Sequence, residues 1–219
     1  MKFYRVLLVS DVHYSLGNVK RANSVERELT IVAGDLSYCG SLEEALEVLE
    51  RFSSETEVVW VPGNCDSPRL AEVEKPGINV HGRLRVVDGI AFAGVGGGLI
   101  SPFNTPFEMR DEEHEAVLRR GLEAYNGSEP LVIVSHNPPY MSGLDVVRGG
   151  VYVGAKGLRR VLAEYRPLVL ASGHIHESWG ISIVEGVLAV NPGPLRDKRY
   201  AVLHLDLENS VSRARLYKL

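Results

Sequence analysis

Cysteine is nearly absent from this chain, which carries only Cys39 and Cys65 among 219 residues. Two thiols cannot build the disulfide framework of a small secreted scaffold, and a chain this long does not need one. A reducing cytoplasm is the expected compartment, with a single Cys39–Cys65 bridge left open. Long apolar runs are missing as well. No stretch approaches the roughly 18 continuous apolar residues of a membrane span, so no membrane partner is expected. The opening MKFYRVLLVSDVH has one early Lys and a short apolar run, with no small-residue cleavage site behind it. It reads as a first strand rather than a signal peptide. Basic charge is not in excess either: 24 Lys and Arg against 28 Asp and Glu leave a formal net charge of -4. That balance disfavours nucleic acid as a partner. Neither an internal repeat nor a linker-like stretch occurs, so residues 1–219 are expected to form a single domain.

What the chain does have is a full complement of core-forming residues, 45% hydrophobic with 24% charged. Short β-branched runs recur at Tyr4 to Val9, Leu29 to Ala33, Val58 to Val61, Ile90 to Val95, Leu131 to Val134 and Leu168 to Ala171. Several are apolar at consecutive positions, which suits strands covered on both faces. Ser41-Leu42-Glu43-Glu44 is a capping box ahead of ALEVLERF and predicts a helix over about 42–52. Ser67-Pro68 reads as an N-cap followed by Pro at the first helical position. Segments 110–125 and 155–165 are charged and helix-prone, and Glu185-Gly186 is a hairpin turn in a strand-rich C-terminal third. The sum is an α/β chain with a mixed sheet, or two stacked mixed sheets flanked by helices. The Gly- and Pro-rich stretches 94–113 and 137–157 are long for loops and are candidates for a substrate rim, with Phe103, Asn104, Tyr140 and Arg148 as rim residues.

Chemistry gathers where the apolar runs end. RVLLVS precedes Asp11-Val12-His13, TIVA precedes Gly34-Asp35, and VVWVP precedes Gly63-Asn64-Cys65-Asp66. LVIV precedes Ser135-His136-Asn137-Pro138-Pro139, and LVLAS precedes Gly173-His174-Ile175-His176. Strand ends are where sheets of this class present ligands. Singly each signal is weak, since a strand-end Asp is commonly a helix cap. Spacing of i and i+2 puts Asp11 with His13, and His174 with His176, on one face of an extended segment. Of the seven histidines, His81, His114 and His204 fall outside these positions and read as loop, helix-surface and strand residues.

The ordered series DVH, GD, GNCD, SHNPP and GHIH resembles the calcineurin-like metallophosphoesterases, in particular the small bacterial and archaeal phosphodiesterase branch with Gly-Asn-Cys-Asp. The resemblance spans residues 11 to 176, with a family-like Asn191-Pro192-Gly193 behind it. It implies a four-layer sandwich of two mixed sheets between helices. It implies two divalent metals, one held by Asp11, His13, Asp35 and His176, the other by Asp35, Asn64, His136 and His174, with Asp35 bridging. Such N and O donors suit Mn, Fe, Co, Ni or Zn. The implied reaction is hydrolysis of a small or medium phosphate ester, a diester in preference to a monoester, by a hydroxide that both metals acidify. Asp35, Asn64, Asp66 and His136 are the implied catalytic set, Asp66 as a support that orients a ligand histidine, and Asn64, His136 and Arg148 are the expected substrate contacts.

Cys65 departs from the common family pattern, which has His as the proton donor at this position. It is either filler behind Asn64 or a functional group. Beside two cations a thiol tends toward thiolate and loses its proton-donating power, so Cys65 is expected to be a weak general acid at most. A nuclease of the same family and a non-catalytic protein-binding scaffold on the same fold are the competing readings. Homo-oligomerisation stays open.

Overall fold

Strand β1 (Tyr4–Val9) sets the plan of the molecule: Val6 and Leu8 enter one core while Leu7 and Val9 enter another, all four fully buried. Successive strand residues point to opposite faces, so an unbroken apolar run needs cover on both sides. The protein's structure, a computed structural model, describes residues 4–219. After β1 come α1 (Leu16–Ala22), β2 (Leu29–Ala33), α2 (Leu42–Ser53), β3 (Glu57–Val61), β4 (Ile78–Asn79), β5 (Leu84–Val87) and β6 (Ile90–Val95). Next are β7 (Gly98–Leu99), β8 (Glu108–Met109), α3 (Asp111–Leu122), β9 (Leu131–Ser135), β10 (Val146–Val147), β11 (Val151–Tyr152) and α4 (Lys156–Tyr165). The chain closes with β12 (Val169–Ala171), β13 (Gly180–Val184), β14 (Val187–Asn191), β15 (Arg199–Asp206) and β16 (Val211–Lys218).

Among the described residues twelve of these strands form two six-stranded sheets, ordered β16-β15-β1-β2-β3-β4 and β13-β14-β12-β9-β6-β5, while β7 pairs with β8 and β10 with β11. Strands β1 to β4 are parallel, with β15 and β16 added antiparallel. In the second sheet β14, β12, β9 and β6 are parallel, and β13 and β5 are antiparallel edges. The sheets face each other across Val6, Leu8, Ile31 and Val59 of one and Phe92, Val132, Val134 and Val190 of the other. Helices α1 and α2 cover the outer face of the first sheet, where Phe52 and Leu49 share a cluster with Leu7 and Trp60. Helices α3 and α4 cover the second through Leu118, Leu158 and Val161. The architecture is two stacked mixed sheets flanked by helices.

Local signals act as their chemistry dictates. Ser41 Oγ accepts from the Glu44 backbone N–H at 3.2 Å, and α2 buries Ala45, Val48, Leu49 and Phe52 on one face. Glu185 and Gly186 both adopt positive φ, 54° and 81°, the geometry of a tight hairpin between β13 and β14. Pro68 opens only a short 3-10 turn, Pro68–Glu72, and Ser67 makes no side-chain cap bond there. His114 corrects the expectation of a helix-surface residue. It is fully buried, because α3 turns His114, Leu118, Gly121 and Leu122 toward the second sheet. Position on the helix outweighed the polarity of the side chain.

Candidate metal centre

Parallel strands leave the C-terminal ends of β1, β2, β3, β9 and β12 at one edge of the sandwich, so the five motif loops converge there. The loops are stitched together through their backbones. Asp11 N–H donates to Gly34 O at 3.0 Å, His13 N–H to Asp35 O at 2.9 Å, and Gly173 N–H to His136 O at 3.1 Å. Asp11, His13, Asp35 and His174 all adopt left-handed backbone, with φ of 53°, 44°, 53° and 69°. Such conformations are costly for residues with a Cβ and persist only where the surroundings fix them. Glycine is required beside them. A Cβ on Gly63 would collide with Asp35 Oδ1 and N, and one on Gly34, where φ is also positive, with His136 Nδ1.

The structure brings all seven expected ligands together. Asp11 Oδ1 lies 3.0 Å from His176 Nε2, and Asp11 Oδ2 accepts from the His174 backbone N–H at 3.1 Å. Asp35 faces both halves of the group: Oδ2 is 3.7 Å from His13 Nε2, and Oδ1 is 3.5 Å from His136 Nε2. The His136 and His174 rings are 4.9 Å apart, and those of His13 and His176 are 5.7 Å apart. In three sets, Asp11/His13/His176, Asp11/Asp35/His136 and His13/Asp35/Cys65, the potential ligand atoms lie within 4.8 Å of one another. The Cys65 thiol thus stands beside the ligand set, as its place after Asn64 leads one to expect.

The donors are primed for cations. Burial pushes the His13 ring down to about 4 and the His174 ring to about 3, so both are neutral with a lone pair to offer. Both ring nitrogens of His13 are buried without a hydrogen-bond partner among the described residues. Burial also lifts Asp35 to about 6, against the pull of His136 and with Asp11 and Asp66 adding to the rise. Burial works to raise Asp11 too, but the hydrogen bond from His176 and the surrounding imidazoles outweigh it and hold the carboxyl below the usual carboxylate range.

His136 carries the sharpest constraint. Its Nδ1 lies 2.8 Å from the Ala33 carbonyl and must donate to it, which leaves Nε2 as the ring atom turned toward the site. That nitrogen faces Asn64 Oδ1 at 2.9 Å, while Asn64 Nδ2 is turned to Cys65 Sγ at 3.6 Å. Together with Asp35 Oδ1, ligand-type atoms from three side chains point at one place. Such a set fits a divalent cation.

Asp66 differs from its expected role. Among the described residues its buried carboxylate makes no hydrogen bond to a histidine; it accepts from the backbone N–H groups of Gly63 at 2.7 Å, Leu36 at 3.1 Å and Ser37 at 2.7 Å, and from Ser37 Oγ at 2.8 Å. It ties the loop of Asp35 to the loop of Asn64, because its strand-end position turns it inward between β2 and β3. His136 is fully buried and lines neither cavity at the site, so Asn64 in front of it is the residue that meets the open space. Arg148, Phe103 and Asn104 line cavity walls as expected. Tyr140 instead faces Tyr152 and Lys156. Cys39 and Cys65 are both free thiols, so the open question of a bridge is answered.

Arg196 was not legible in the sequence. It lines the cavity beside Tyr38 and Asn104 and places Nη2 3.1 Å from His176 Nδ1. Its only sequence signal is that it follows Asn191-Pro192-Gly193. Within that motif Asn191 Oδ1 accepts from Gly193 N–H at 2.9 Å and Asn191 Nδ2 donates to Ile175 O at 3.0 Å, anchoring the Gly-His-Ile-His loop.

Comparison with known proteins agrees with this geometry. The profile of the family described as calcineurin-like phosphoesterase matches residues 4–178. The uncharacterized protein MJ1162 of Methanocaldococcus jannaschii is 30% identical over 199 residues, covering 89% of this chain and 90% of that protein. The crystal structure of TT1561 of Thermus thermophilus shares the fold, with a TM-score of 0.77 at 19% identity and 99% of both chains covered.

Proposed function

This chain belongs to the calcineurin-like phosphoesterase family, and we propose that it is a two-metal hydrolase of phosphodiesters that also accepts monoesters. The observation that carries this reading is the convergence of His136 Nε2, Asn64 Oδ1 and Asp35 Oδ1 on one place at the strand ends. One cation would be held by Asp11, His13, Asp35 and His176 and a second by Asp35, Asn64, His136 and His174. Bound divalent ions of the Mn, Fe, Co, Ni or Zn type would supply Lewis acidity and positive charge for the phosphoryl oxygens.

The protein's own groups prepare that reaction. Asp35 offers one oxygen to each half of the site, and Cys65 N–H holds its Oδ1 at 2.8 Å. Asp66 keeps the two loops in register, which fixes the reacting geometry more rigidly than either loop could alone. Arg196 adds a guanidinium to the cavity wall, where an anionic ester is met. Without bound cations, burial and the Asp35 carboxylate push the Cys65 thiol well up, the reverse of the thiolate expected beside two metals. As a reluctant thiol or as a thiolate Cys65 is a poor proton donor, so the site favours leaving groups that depart with little help. A diester is preferred because two cavities open from the same ligand residues, one for each ester arm. Two free thiols agree with a reducing cytoplasm.

Metal analysis of the purified protein, paired with hydrolysis of aryl mono- and diesters and of 2′,3′- and 3′,5′-cyclic nucleotides, tests this. Two bound ions and faster cleavage of bis(4-nitrophenyl) phosphate than of 4-nitrophenyl phosphate are expected. No bound metal, and no hydrolysis with Mn or Ni added, would leave the scaffold reading in its place. Monoesters cleaved faster than diesters would overturn the diester preference alone.

A further inference from the structure

The two cavities beside the candidate metal centre are chemically unlike. They share Asn64, Phe103, His174 and His176, so both open onto the same reacting point. The first, of about 500 Å³, is completed by His13, Asp35, Tyr38, Asn104, Thr105 and Arg196, with Pro106 and the two cysteines beside them, a wall of hydrogen-bonding groups in which Arg196 is the one guanidinium. The second, of about 630 Å³, is walled mainly by Leu99, Ile100, Pro102, Val147, Val153 and Ile175, with Ser101, Asn137, Arg148 and Glu177 as its added polar groups. Its volume falls in the range of roughly 300–1,000 Å³ usual for small-molecule sites, and its lining is the mostly apolar kind that such sites use.

Three observations make this second cavity a built site rather than an accident of the surface. Phe103 is 84% exposed and Ile100 64% exposed, and both converge with Val153 on one concavity instead of being scattered. One wall is held by Glu108, whose carboxylate accepts from the backbone and hydroxyl groups of Ser101 and Thr105 and so shapes the loop carrying Phe103. The opposite wall is held by the buried Asp145, which accepts from the N–H groups of Met141, Ser142 and Gly154 while its own carbonyl accepts from Val153 N–H at 2.9 Å. A carboxylate knot behind each wall keeps apolar side chains in water, at a cost that an apolar ligand would relieve.

We infer that the substrate is an asymmetric phosphodiester whose apolar, ring-sized ester arm lies in the cavity of Leu99, Ile100, Val147 and Val153, and whose polar arm lies on the side of Tyr38, Asn104 and Arg196. The inference rests on the phosphoesterase reading of the centre. The arm lies against Phe103, which offers a ring edge or face to a second ring. Arg148 at the rim of the same cavity offers a planar cation to its face.

Phosphinates test this, because they carry the single negative charge of a diester on P–C bonds that hydrolysis cannot break. The affinities of methyl(phenyl)phosphinate and dimethylphosphinate for the metal-loaded protein are measured by calorimetry, in the wild type and in Ile100→Asp and Val153→Asp. The phenyl compound is expected to bind about tenfold or more tightly than the dimethyl compound, and the ratio to fall toward one in both variants. Circular dichroism confirms that each variant is folded, and either exposed position alone suffices to read the effect. A wild-type ratio near one would overturn the inference, and so would a ratio unchanged by both substitutions. The same arms are then compared as 4-nitrophenyl phenyl and 4-nitrophenyl methyl phosphates. Failure to cleave either, with the phosphinate ratio intact, would sink the hydrolase reading while leaving the apolar cavity assigned.

Discussion

His136 Nε2 lies 2.9 Å from Asn64 Oδ1 across the seam between the two sheets, one residue following β9 and the other β3. Nδ1 is committed to the Ala33 carbonyl, so Nε2 is the ring atom left to face Asn64 and the site. In the proposed centre both side chains hold the same cation, so the two residues act as one unit. Metal affinity in a double-mutant cycle of Asn64→Ala and His136→Ala is expected to be non-additive, with a coupling on the order of 1–3 kcal/mol. Additive losses, measured by calorimetric titration with Mn, would mean that the two side chains do not share an ion.

Gly63 admits no side chain because a Cβ there would overlap Asp35 Oδ1 and its backbone N. Gly63→Ala should therefore shift Asp35 and cut metal binding at least tenfold, an effect of about 1.4 kcal/mol or more. Elemental analysis of the variant, set beside its circular dichroism spectrum, checks this; a full metal complement would show that the loop yields without moving Asp35.

Cys65→Ala should keep most of the activity toward an activated aryl diester, whereas Asp35→Ala should lose at least two orders of magnitude. The distinction follows from a side chain that is a poor proton donor whether thiol or thiolate, against a carboxylate that faces both halves of the ligand set. Steady-state kinetics with bis(4-nitrophenyl) phosphate decides it. Equal loss in both variants would make Cys65 an essential group.

His114 gives the fold a pH dependence of known sign. Burial, with His81 and His136 nearby, pushes its ring down to about 3. An unfolded chain protonates histidine near 6.5, so below that pH the unfolded state binds the extra proton. Stability from the neutral ring is complete above about 6.5 and is lost progressively as the pH falls toward 3. At pH 4.5 the loss approaches about 2.5 kcal/mol. Urea unfolding at pH 7 and pH 4.5 should show a smaller acid loss in His114→Leu than in the wild type, by about that amount. His81 and the buried histidines of the centre contribute equally to both and cancel.

Which elements form, and which side chains gather as ligands, can be read along the chain. β-Branched runs located β1, β2, β3, β6, β9 and β12, the Ser41 capping box began α2, and Glu185-Gly186 made the turn between β13 and β14. These signals are local: a backbone preference or a two-residue period is complete within a few positions. The motif residues at strand ends were legible for the same reason, since parallel strands place their C-terminal ends at one edge. Whatever depends on partners distant in the chain was settled only by the packing. Asp66 supports loops rather than a histidine because its donors come from residues 36, 37 and 63. His114 is interior because α3 lies against the second sheet, and Arg196 joins the centre because the 3-10 turn Leu195–Asp197 is drawn in by the Leu195 N–H bond to Ser10 O. The unlike cavities on either side of Asn64 belong to this second kind: their walls come from loops more than 100 residues apart, and no periodicity or propensity records which loops will meet.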